Sequence, residues 1–98
     1  MARTPIHPGE ILADELEELG ISALALAKAL HVPANRISQI VSGKRGMTAD
    51  TALRLSRYLS TTPGFWLNLQ KAYELRLAEQ ESGDEIRRLI EPLSAAVE

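Results

Sequence analysis

The 98-residue chain is long enough for one domain with a modest core, and its 45% hydrophobic content is typical of a globular protein. It contains no cysteine, which excludes disulfides and thiolate metal sites, and no apolar run approaches the roughly 18 residues of a membrane span. The segment "MARTPIHPGE" lacks the apolar stretch of a signal peptide, so we expect a cytoplasmic protein that does not bind membranes.

The net charge of −2 is distributed unevenly along the chain. Residues 1–27 hold one basic and five acidic side chains, and residues 58–98 hold four and seven. Residues 28–57 hold six basic side chains and one acidic side chain, a net charge of +5. A polyanion responds to local charge more than to the total charge. This central basic segment therefore indicates either a nucleic-acid-binding surface or simply a solvated face.

Apolar residues recur at helical spacing in the first half of the chain, and no segment shows the alternation of a strand. The first predicted helix has Pro8 near its start and stops at Gly20. Ser22 is placed to cap the second helix, and "ANRISQIVSG" is a short third helix that ends at Gly43.

The second half adds three predicted helices. Thr48 is the expected cap of the fourth, and Thr62 and Pro63 open the fifth, which is the longest. A capping-box spacing from Ser82 to Glu85 predicts a separate C-terminal helix that ends near Pro92. Because the connections are short, we expect one all-α domain over residues 1–98.

The third predicted helix has a polar outer face. Ile37, Ile40 and Val41 fall on its core side, whereas Asn35 and Gln39 are adjacent on the opposite side. A side-chain amide offers a donor and an acceptor together, which suits bidentate pairing with adenine in the major groove. The predicted base contacts are Asn35, Gln39, Ser42 and Ser38. The predicted phosphate contacts are the cations around them, Lys28, Arg36, Lys44, Arg45 and Arg54.

The lengths of segments 22–30 and 34–42, joined by the turn "HVP", fit a helix-turn-helix at 22–42. In that motif the second helix enters the major groove of DNA. Ala27 is small enough for the point where the two helices cross. The same pattern also fits an ordinary helical hairpin within a bundle.

The C-terminal helices at 63–91 carry more apolar side chains than a small domain can bury. An aromatic stripe at helical spacing fits a protein core, a ligand pocket or a dimer seam, and we favour a dimer interface. The predicted interface residues are Trp66, Leu69, Tyr73, Ile86, Leu89 and Ile90. A two-fold dimer would set two recognition helices about 34 to 36 Å apart and would require an operator with inverted half-sites.

Three motifs in order resemble a known group of proteins. Residues 22–57 resemble the lambda-repressor-like (XRE) helix-turn-helix family. More narrowly, "HPGEIL" (7–12), "SGKRGMTADTALRLSRYL" (42–59) and "PGFWLNLQKAYEL" (63–75) are similar to HigA-type antitoxins. The resemblance implies a five-helix lambda-repressor-like DNA-binding domain, here with an added C-terminal helix. It also implies a homodimer that binds double-stranded DNA, represses its own promoter and neutralises a HigB-like mRNA-cleaving toxin.

His31 and Pro33 are among the positions that depart from that family. His31 stands where a turn glycine with positive φ is common, and histidine tolerates such a φ better than most residues. Pro33 stands where Ser or Thr usually caps the recognition helix.

The sequence shows no set of catalytic or metal-binding residues. His7 and His31 are not separated by a spacing that would place them together on one helix as metal ligands. The acidic residues of the first helix lie on its polar face. We therefore expect no enzyme activity, metal or cofactor, and a structural or turn role for each histidine. Two alternatives remain: a regulator of the same fold without a toxin, and a helical adaptor that binds a partner protein and no DNA.

Overall fold

The computed structural model describes residues 4–94 and folds them into five α-helices without a strand among those residues. The helices are α1 (Pro8–Leu19), α2 (Ala23–Leu30), α3 (Ala34–Val41), α4 (Ala49–Leu59) and α5 (Pro63–Leu89). The all-α fold class is confirmed. Residues 95–98, which follow the predicted last helix, lie outside the described residues.

Hydroxyl caps begin α2, α4 and α5. The side-chain oxygens of Ser22, Thr48 and Thr62 each accept a backbone N–H from three residues later, at 3.0, 3.4 and 3.1 Å. These predicted caps are confirmed. α3 has no side-chain cap because Pro33 occupies that position.

His7 has the structural role that the sequence suggested, as the cap of α1. Its Nδ1 accepts the N–H of Gly9 at 2.9 Å, and the carboxylate of Glu10 accepts the N–H of His7 at 3.2 Å. His31 ends α2 with φ of 59°, which confirms the expected positive φ.

The boundary predicted at Ser82 is wrong, because α5 continues without interruption to Leu89. A glycine inside a helix is unfavourable by about 1 kcal/mol relative to alanine. Gly83 is nevertheless accommodated in α5, where the carboxylate of Glu79 occupies the space that a Cβ would need. Glu79 spans the glycine to reach Arg87 at 2.7 Å, and Arg87 also pairs with Asp84 at 2.8 Å. The hydrogen bond that Arg87 donates to Asp84, followed by the one that it donates to Glu79, raises the pKa of Arg87.

The core lies where the first four helices meet the start of α5. Its buried apolar members are Leu12, Leu16, Leu26, Ala27, Leu30, Ile37, Ile40, Met47, Ala52, Leu55 and Trp66. Gly9 is required where α1 meets α3, because a Cβ there would overlap the backbone carbonyl of Ile40. This close approach sets the position of α3 against the body of the domain.

Candidate nucleic-acid interface

α3 presents one apolar face and one polar face, as its sequence predicts. Ile37 and Ile40 have no exposed surface, whereas Asn35, Ser38 and Ser42 are exposed and Gln39 is half-buried. The predicted base-contacting side chains therefore lie together on the outside of the domain. An α-helix with its side chains is about 10 to 12 Å across, which suits the width of the major groove.

The loop after α3 is held against Gln39 by its backbone. The N–H groups of Lys44 and Arg45 donate to the backbone carbonyl of Gln39 at 2.8 and 3.1 Å. The hydroxyl of Ser42 donates to the same carbonyl at 3.2 Å. These bonds place the basic loop directly beside the polar face of α3.

The side chain of Arg45 also reaches Gln39. Arg45 Nε and Nη2 both donate to Gln39 Oε1, at 3.0 and 2.7 Å. Lys28 and Lys44 are exposed, and neither forms an ion pair or side-chain hydrogen bond within residues 4–94. The ammonium groups of these two lysines are thus available to an anionic ligand.

Arg36 and Arg54, unlike those lysines, both pair with an acidic side chain of the protein. Both guanidinium groups bind the same oxygen of Asp50, at 2.8 and 2.9 Å. Arg54 Nη1 also donates to the backbone carbonyl of Leu30 at 2.8 Å, so it caps the end of α2. The hydrogen bond from Arg54, with a further one from Arg36, lowers the pKa of Asp50. These two arginines therefore link α2, α3 and α4 at the surface of the domain.

Gln70 on α5 supports the loop from behind, a role that the sequence analysis missed. Its Oε1 accepts the N–H of Met47 at 2.6 Å, and its Nε2 donates to Glu74 at 2.8 Å. A Cβ at Gly46 would lie 3.0 Å from Gln70 Nε2, so the loop packs closely on this amide. The hydrogen bond from Gln70, followed by that from Lys71, lowers the pKa of Glu74. The available sequence signal was a polar residue four positions after Trp66 on the buried face of α5.

The predicted dimer residues divide into three groups by their exposure. Trp66 is 1% exposed and its indole N–H donates to Thr61 Oγ1 at 2.9 Å, so it belongs to the core and cannot form an intermolecular surface. Leu69 is half-buried against the core. Tyr73 is half-buried, and its ring makes an edge-to-face contact with His7 at a centroid distance of 4.8 Å. The remaining three, Ile86, Leu89 and Ile90, are exposed.

This geometry agrees with the comparison to known proteins. A family model described as "Helix-turn-helix" matches residues 12–66, more than half of the chain. The chain belongs to the helix-turn-helix family. In this helix-turn-helix protein α2 and α3 are the two helices of the motif, joined by the turn at 31–33.

Relatives of this helix-turn-helix protein include "Virulence-associated protein I" of Dichelobacter nodosus, which is 60% identical over 77 residues, or 78% of this chain and 71% of that protein. A HigA-family addiction module antidote protein from Coxiella burnetii has 53% identity and a TM-score of 0.90, covering 92% of this chain and 99% of that one. Antitoxin HigA of Pseudomonas aeruginosa, solved with the higBA promoter, has 52% identity and a TM-score of 0.88, covering 91% and 98%. The resemblance to HigA-type antitoxins is confirmed.

Among the described residues, no group of three or more His, Cys, Asp or Glu side chains could hold a metal ion. Across residues 4–94, no helix has the length and apolar character needed to cross a membrane.

Proposed function

We propose that this protein is a DNA-binding repressor and the antitoxin of a toxin-antitoxin module. It represses its own promoter and neutralises a HigB-like mRNA-cleaving toxin. The observation that carries the DNA-binding part is the exposed polar face of α3, with Asn35 and Gln39 directly beside the basic loop of Lys44 and Arg45. The toxin partner rests on the similarity to HigA antitoxins.

DNA binding by this surface divides into two kinds of contact. α3 enters the major groove, where Asn35, Gln39, Ser38 and Ser42 face base edges. Lys28, Lys44 and Arg45 bind phosphates on the walls of the groove. Arg36 and Arg54 were predicted to bind phosphate directly, and we now assign them a supporting role, because Asp50 already holds both.

The protein acts as a homodimer through the end of α5. Ile86, Leu89 and Ile90 are 48%, 67% and 64% exposed. Ile86 and Leu89 lie three residues apart in the last turn of α5, and Ile90 is the residue that ends the helix. An apolar stripe of this kind is typical of a surface that another helix covers. A two-fold axis at this stripe would give an inverted-repeat operator, with recognition helices about 34 to 36 Å apart.

Salt-dependent DNA binding tests the first part of the proposal. The DNA upstream of the gene is footprinted, and affinity is then measured by fluorescence anisotropy across a series of salt concentrations. If Lys28, Lys44 and Arg45 each neutralise one phosphate, a dimer contacts about six phosphates and the slope of log K against log[salt] is about −5. Lys44→Gln should weaken binding to all sequences and flatten this slope by about 2 per dimer.

A matched control is Lys71→Gln, which removes an exposed cation on α5 that pairs with Glu74 at 3.2 Å. It should change neither the affinity nor the slope. A wild-type slope near zero would show that no phosphate is bound and would leave the adaptor function as the better assignment.

Sedimentation and co-expression test the remaining parts. Leu89→Glu places a charge in the apolar stripe and should convert the dimer to a monomer, whereas Arg88→Glu at an exposed neighbouring position should remain dimeric. A dimer that persists in Leu89→Glu would contradict the interface.

Co-expression with the protein encoded in the adjacent reading frame should relieve growth arrest, and continued arrest would favour a regulator without a toxin.

A further inference from the structure

The amide oxygen of Gln39 is fully occupied within the protein. An amide oxygen has two lone pairs, and Arg45 supplies two donors to it, Nε at 3.0 Å and Nη2 at 2.7 Å. Within residues 4–94, the amide nitrogen of Gln39 donates neither of its N–H groups to a protein atom. On the surface that faces DNA, Gln39 is therefore a donor and not an acceptor.

We propose that Arg45 positions Gln39 as a donor-only group, and that the pair selects guanine over adenine at one base pair of each half-site. This inference rests on the proposed DNA-binding function. It replaces the bidentate adenine contact expected for an isolated glutamine, which requires the amide oxygen to accept from adenine N6.

The base edges in the major groove explain the preference. Guanine presents two acceptors, N7 and O6, whereas adenine presents the N7 acceptor and the N6 donor. The two free N–H groups of Gln39 match guanine, and adenine N6 would meet an occupied oxygen. Arg45 has five N–H donors and uses two on Gln39, so it retains donors for guanine or for a neighbouring phosphate.

The backbone makes this pairing a property of the loop rather than of one flexible side chain. Arg45 follows Gln39 by six residues in the sequence. Its position beside Gln39 is fixed because its own N–H and that of Lys44 donate to the backbone carbonyl of Gln39. The close packing of Gly46 on Gln70 and the bond from Met47 hold the far end of the loop. The planar guanidinium fork then meets one oxygen with two donors, which the single ammonium of lysine cannot reproduce in the same plane.

The test uses the full-length protein and a library of double-stranded DNA with randomised positions. Bound sequences are selected for the wild type, for Arg45→Met and for Lys44→Met, and preferences are measured by competition with duplexes that differ only by guanine or adenine at the affected position. The wild type should prefer guanine by about tenfold. Arg45→Met should weaken binding and shift that position from guanine towards adenine, while the other positions keep their preference.

Lys44→Met separates base selection from phosphate binding. It should weaken binding to all duplexes and leave the guanine preference unchanged. A double-mutant cycle adds Gln39→Ala, which should remove the preference at that position and with it the ability of Arg45→Met to alter it. A 7-deazaguanine substitution, which removes the N7 acceptor, should lower wild-type affinity for that site.

The outcomes distinguish this inference from the function on which it rests. If wild-type protein binds DNA but prefers adenine there, or if Arg45→Met and Lys44→Met both weaken binding without changing the preference, Arg45 is only a phosphate ligand and the inference fails. If the wild type binds no DNA at any salt concentration, the proposed function itself fails. Circular dichroism of each variant checks that the helices remain folded.

Discussion

Replacement of Gln70 by leucine should destabilise the domain and loosen the basic loop. Gln70 is 9% exposed, and its Oε1 accepts the N–H of Met47 at 2.6 Å. Leucine fills nearly the same volume, so it adds no large cavity, but it leaves the buried N–H of Met47 without an acceptor. The loop that carries Lys44 and Arg45 loses its bond to α5 as a result.

The magnitude follows from the burial of this amide. A buried donor left without a partner costs about 1 to 3 kcal/mol. The total stability of a domain is about 5 to 15 kcal/mol, so this loss is substantial. For a domain of this size, it corresponds to a decrease in Tm of about 4 to 20 °C. The lost bond to Glu74 adds little because that carboxylate is exposed.

Circular dichroism melts at one fixed protein concentration measure the effect, because the Tm of the proposed dimer would depend on concentration. Amide hydrogen exchange should show faster exchange at Met47 in Gln70→Leu. The control is Glu74→Gln, which changes the outer partner and keeps the bond to Met47, and its stability should lie within about 0.5 kcal/mol of wild type. A Gln70→Leu protein that melts within roughly 2 °C of wild type, with the amide of Met47 still protected, would refute this reasoning.

Two further changes test the packing around α3. Gly9→Ala forces a Cβ into the backbone carbonyl that α3 places there and should lower the free energy of unfolding by about 1 to 3 kcal/mol in urea denaturation. Gly64→Ala has open space and should not destabilise, so equal midpoints for the two variants would contradict the close contact. The lowered pKa of Asp50 means that its pairing with Arg36 and Arg54 stabilises the fold above its ordinary pKa of 3.8, and that this stabilisation is lost as pH falls through the lowered value. The Tm of the wild type should therefore exceed that of Asp50→Asn by a constant margin from neutral pH to about pH 5, and this difference in Tm should shrink below about pH 4. A difference in Tm that does not change with pH would rule out the ionised carboxylate as its source.

Local chemistry explains why most helix starts could be predicted. Ser22, Thr48 and Thr62 bind a backbone N–H only three residues away, so the cap and its partner are adjacent in sequence. The same kind of signal failed at Ser82, where a capping-box spacing lies inside α5. The ion pair between Glu79 and Arg87 crosses that point and supports the continuous helix. A local signal for a helix start has no effect when the preceding helix continues through that position, as α5 does at Ser82.

The sequence alone determined that Asn35 and Gln39 face outward, because the period of a helix places them opposite Ile37 and Ile40 whatever surrounds α3. It also determined the basic character of the loop that follows. The tertiary structure decided which cations remain available. Arg54 binds a carbonyl 24 residues earlier in the chain, Gln70 supports an amide 23 residues earlier, and Trp66 is enclosed by the core. Such partners depend on how helices pack, and spacing within one helix carries no information about side chains that approach from another.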